Sequence, residues 1–105
     1  MDADLLRRAC VMAGLITRMR AFVGWEAGIS MPNADRWYDN NDPALPAYVA
    51  SRLVAMVQKD ELRQFRYQSA MAHEVGAGIG FSARAMFATD EQRIRAALKV
   101  LEGKR

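Results

Sequence analysis
The chain has 105 residues, 51% of them hydrophobic, with 15 basic and 12 acidic side chains and a formal net charge of +3. That length is one ordinary domain with no room for a second. Only three prolines and no apolar run of about 18 residues exclude a disordered or membrane-spanning chain.

The start, MDADLLRRAC, puts acids before the first apolar run and interrupts it with two arginines. A secretory signal has the opposite order, so a cytoplasmic location is expected. Leu5, Ala9, Met12, Ile16, Met19 and Val23 then recur at alternating steps of four and three, widened by Leu6, Cys10 and Ala13. This is the seam a helix presents to a partner helix, and it predicts one long helix over 4–23 that dimerises through Leu5, Met12, Ile16 and Met19.

The break NNDPALP at 40–46 holds turn formers, with Pro43 suited to a first helical position behind Asp42. A helix is predicted over about 46–58 from Val49, Leu53 and Met56. Asp60 caps another that carries Leu62, Phe65, Ser69 and Ala72 on one face, with Met71 and Val75 beside it. The glycines of EVGAGIGF at 74–81 are expected to stop or loosen it, as a flexible joint. Thr89 and Gln92 form a capping-box pattern before Ile94, Ala97, Leu98 and Leu101, and Gly103 closes that last helix. Strand patterns are scarce: QFRYQS alternates weakly but has no hairpin partner. The expectation is an all-α, single-domain bundle of about four to five helices, dimeric through its long first helix.

Chemistry-bearing groups are few. One cysteine and one histidine provide no set of soft ligands, so no metal and no cofactor is expected, and Cys10 reads as a buried, inert thiol. The glycines of GAGIG lack the Lys-Ser/Thr of a phosphate loop, and His73-Glu74 lacks the second histidine of a zinc hydrolase. No nucleophile, base and orienting acid assemble around Ser30, Ser51, Ser69, Ser82 and His73, which argues against an enzyme.

The stretch GWEAGISMPNADRWYDNN at 24–41 has the spacing of a helix-turn-helix. Gly24, Gly28, Ile29, Ala34 and Trp37 sit where such a motif needs small, turn and apolar residues, and Ser30 is placed to cap the second helix with Pro32 in its first turn. Charge opposes that reading. Residues 21–61 carry three basic and six acidic groups, against eight and four in 62–105, and a duplex groove calls for cations. DNA binding, through 24–38 or through the basic C-terminal half, is therefore the second reading. The first is a protein-binding surface built on Trp25, Trp37, Tyr38 and Tyr48, too many large rings for so small a helical core to enclose. Arg63, Arg66, Arg84, Arg93 and Arg95 would steer it to an acidic target.

Three fragments, DLLRR at 4–8, FRYQS at 65–69 and GIGFSAR at 78–84, resemble pieces of the flagellar master regulator subunit FlhD; the resemblance implies a helical dimer and assigns no site residue. The function expected from the residues is a small regulator that binds a protein, an inhibitor, antiactivator or adaptor of a transcription factor or other machinery, through an apolar helical face. No membrane partner is expected.

Overall fold
The computed structural model describes residues 2–20, 24–31, 34–76 and 88–103, side chains of 20, 29–31 and 34–36 aside. It corrects the all-α expectation: among these residues four helices accompany a three-stranded antiparallel sheet. In chain order these are α1 (Ala3–Met12), β1 (Ile16–Arg20), β2 (Gly24–Met31), β3 (Ala34–Asp39), α2 (Ala44–Val57), α3 (Glu61–Val75) and α4 (Asp90–Glu102). The sheet is a meander in the order β1-β2-β3.

The first helix is half as long as its periodicity predicts, because the chain stops it at Gly14. Asp2 opens α1 by accepting from the Asp4 N–H at 2.9 Å. At the other end Gly14 adopts φ +86°, a conformation open to glycine at little cost. The Leu15 N–H then donates to the Cys10 carbonyl (2.9 Å) and the Gly14 N–H to that of Val11 (3.1 Å). This pair of bonds is a Schellman cap. Its apolar contact is present too, since Leu15 and Cys10 are buried in one cluster. Arg52 of α2 adds a bond from its Nε to the Ala13 carbonyl at 3.2 Å.

Beyond that cap Ile16 and Thr17, both branched at Cβ, enter a strand, where such side chains pack readily. The helical seam therefore dissolves. Leu5 and Met12 are half-buried on α1, whereas Ile16 and Met19 are exposed and, an odd number of residues apart, lie on opposite faces of β1. Val23 lies outside the described residues. The segment at 24–38 is the β2–β3 hairpin rather than two helices, with Gly28 opposite Trp37 and Ala27 opposite Tyr38.

One face of the sheet closes the core. Trp25 and Ala27 join Leu6, Ala9 and Cys10 of α1, Leu45, Val49, Leu53 and Val57 of α2, and Ile94, Ala97 and Leu98 of α4. Tyr38 packs at its margin and stacks on Tyr48 of α2, centroids 6.0 Å apart.

The caps read from sequence hold in α3 and α4. Asp60 accepts from the Leu62 N–H (2.9 Å), Gly76 ends α3 at φ +79°, and Thr89 and Gln92 make both capping-box bonds. Pro46 falls in the first turn of α2, where no intrahelical partner is lost. Around α4 the bundle closes: one face meets α1 and α2, while Ala96 and Val100 form a second, smaller cluster with Ala70 and Met71 of α3. An exposed ion pair, Arg8–Glu102 at 2.7 Å, links α1 to α4.

Gly14→Ala should cost about 1–2 kcal/mol, the price of a left-handed residue with a Cβ, read as a lower urea midpoint. The added Cβ meets only Arg52 at 4.0 Å, so the loss is conformational, and Gly14→Asn should lose less.

Candidate interaction surface
The aromatic residues singled out in the sequence split between core and sheet. Trp25 is 7% exposed and belongs to the core, so it cannot serve as a docking anchor. Tyr38 and Tyr48 are half-buried against each other. Trp37 lies on the outer face of the sheet, its ring across Gly28 and the Arg18 guanidinium carbon 3.7 Å from its centroid. A cation over an indole is worth about 0.5–1 kcal/mol at an exposed site. Arg18 also pairs with Glu26, its cross-strand neighbour, which is only 6% exposed. These contacts tie β1, β2 and β3 together from outside. Trp37 is 36% exposed but engaged in holding the sheet.

Large apolar side chains turned outward are Val11 on α1, Ile16 and Met19 on β1, and a pair on α3. Leu62 is 54% and Phe65 68% exposed; they sit three residues apart and so share a face. Their neighbours Arg63 and Arg66 are exposed as well. Leu62, Phe65 and Ser69 of the predicted stripe thus point away from the core while Ala72 is half-buried, and α3 fully buries only Ala70 and Met71. The physical reason is residue size. Alanine lets α3 approach the Ala96 side of α4 closely, and the first six residues of α3 remain exposed.

Between α3 and α4 runs a groove of about 400 Å³ lined by Arg66, Ser69, Ala70 and His73 of α3 and Lys99 and Val100 of α4. Sequence reasoning missed it, because Lys99 comes to the groove from another helix. Arg93 and Arg95, expected to steer a partner, instead pair along α4 with Asp90 (3.6 Å) and Glu91 (3.8 Å). Arg84 and the glycines at 78 and 80 lie outside the described residues.

His73 faces solvent at this groove, beside cations rather than a carboxylate. Among the described residues no three His, Cys, Asp or Glu side chains gather as metal ligands, and no helix is long and apolar enough to cross a membrane. Cys10 is fully enclosed, and burial pushes its thiol up to about 12. The thiol form, a poor nucleophile, therefore prevails at neutral pH.

Comparison with known proteins supplies no assignment: no family model, curated protein or solved structure matches the chain. The fragments similar to FlhD therefore carry no family membership, and the sheet departs from the helical architecture they imply.

Gly28→Ala should unseat Trp37, because a Cβ there would lie 2.7–2.9 Å from three ring atoms. The expected loss is about 1–3 kcal/mol together with altered indole fluorescence. Cys10 should resist a thiol reagent at pH 8 until denaturant is added. Its folded-state value lies above the ordinary 9.0, so its contribution to stability is complete below pH 9 and declines as pH rises toward about 12. Thermal melts across that interval check the sign.

Proposed function
We propose that this protein is a small cytoplasmic regulator that works by binding another protein, as an inhibitor, antiactivator or adaptor of a transcription factor or comparable machinery. The observation that supports this reading is the pair Leu62 and Phe65, left 54% and 68% exposed on a well-capped helix. Covering a side chain of this kind is worth about 1.5–3 kcal/mol, and nothing in the described chain covers these two. An apolar patch at helical spacing is the chemistry of helix-to-groove and helix-to-helix recognition.

The anchors therefore move from the aromatic cluster to α3. Trp25 serves the core and Trp37 the sheet, whereas Leu62 and Phe65 have no comparable internal duty. Arg63 and Arg66 flank them and favour encounter with an acidic partner surface. Binding occludes whatever face of the partner receives the helix. A dimer through the first helix is not part of this reading, because Ile16 and Met19 leave that helix for β1. Nor is duplex reading by 24–38, a hairpin in this fold.

Affinity capture from a native extract, with nuclease present, should retain a protein on the wild-type chain. Leu62→Ala/Phe65→Ala should lose most of it while helical circular dichroism is unchanged, since exposed substitutions shift stability by only about 0.5 kcal/mol. Equal retention by the double variant, or release by nuclease, would overturn the reading.

A further inference from the structure
We propose that the groove between α3 and α4 is a binding site for a small phosphate monoester. Arg66, Ser69 and His73 follow one another at steps of three and four, so they form one stripe along α3. Lys99 reaches the same groove from α4, and the nearly buried Ala70 and Val100 give it an apolar floor. Its volume, about 400 Å³, falls within the range of small-molecule sites. Ala70 keeps it open, because a larger side chain there would occupy the space.

Arg8, Arg18, Arg93 and Arg95 each have a carboxylate partner. Among the described residues neither Arg66 nor Lys99 has one, and no carboxylate lines the groove. Arg7, Arg52, Lys59 and Arg63 also lack an ion pair among the described residues, so what marks this groove is that two such cations line it from two helices. Two cations brought together by two helices, with no internal counter-charge, favour an anion between them.

The donor set selects the anion. Arginine offers a planar fork, lysine three donors, and serine and histidine one each toward the groove. A carboxylate has two oxygens and a single charge. A phosphate monoester has three terminal oxygens and about −1.5 to −2 charge at neutral pH, so it can meet donors from both helices at once. Its carbon substituent then rests on Ala70 and Val100. This site adjoins the Leu62 and Phe65 surface through Arg66 but does not depend on the regulator having a protein partner.

The test is an amide NMR titration of the full chain with phenyl phosphate, inorganic phosphate and benzoate at matched ionic strength. Phenyl phosphate should give saturable shifts centred on Arg66, Ser69, His73 and Lys99. Inorganic phosphate should bind roughly severalfold more weakly for want of the apolar contact, and benzoate about tenfold more weakly for want of charge and oxygens. Arg66→Gln and Lys99→Gln, both at exposed positions, should each weaken phenyl phosphate about tenfold with the rest of the spectrum unchanged. Arg7→Gln and Leu62→Ala/Phe65→Ala should leave it as it is. Shifts that never saturate, benzoate binding as tightly as phenyl phosphate, or full affinity in Arg66→Gln and Lys99→Gln would each overturn the site. Inorganic phosphate binding equal to phenyl phosphate would overturn the monoester in favour of the free ion.

Discussion
Two backbone bonds around Gly14, from Leu15 to Cys10 and from Gly14 to Val11, decide the architecture, because they end α1 and turn the chain into its sheet. Without that reversal, residues 16–23 would extend a helical stripe beyond the core. With it, Leu15 folds back onto Cys10 and the following strand leads into the hairpin. The tie from Arg52 to the Ala13 carbonyl joins the same corner to α2. A single residue able to adopt positive φ thus separates a mixed α and β domain from a helical bundle.

The sheet repeats this economy of small residues. Ala27 on its inner face lets the strands lie close to the helices, and Gly28 on its outer face receives the Trp37 ring. An indole spread over a glycine, with a guanidinium at 3.7 Å, gives a narrow meander an outer cover of its own. The inner face contributes Trp25 to the core, so the two indoles serve opposite faces. That division accounts for aromatic residues that, on an all-helical reading, seemed surplus to the core.

Small residues also shape the surface. Ala70 and Ala96 bring α3 against α4, and a helix held by so narrow a contact keeps most of its circumference in water. Two surfaces result. Leu62 and Phe65 form an apolar one near the start of α3, and Arg66, Ser69 and His73 join Lys99 in a cationic one along its flank. Neighbours on one helix, they answer to different chemistries, and Arg66 borders both.

Local signals are legible in the chain. Asp60, Thr89 with Gln92, and the punctuation at 40–46 specify helix starts through bonds spanning two or three residues, and α2, α3 and α4 form close to where those signals put them. The glycine stop was present as well, in Ala13-Gly14-Leu15, yet the four-and-three spacing that continued through Ile16 and Met19 masked it, since five residues fit either period. Which face a helix buries, and whether 24–38 pairs as strands, depends on contacts between distant segments. Leu62 and Phe65 are as apolar as Ile94 and Leu98, but burial requires an element packed over the face that carries them, and among the described residues none covers these two. The meeting of Arg66 with Lys99 across two helices is of the same kind: it depends on the packing of chain segments far apart in sequence, which no local pattern encodes.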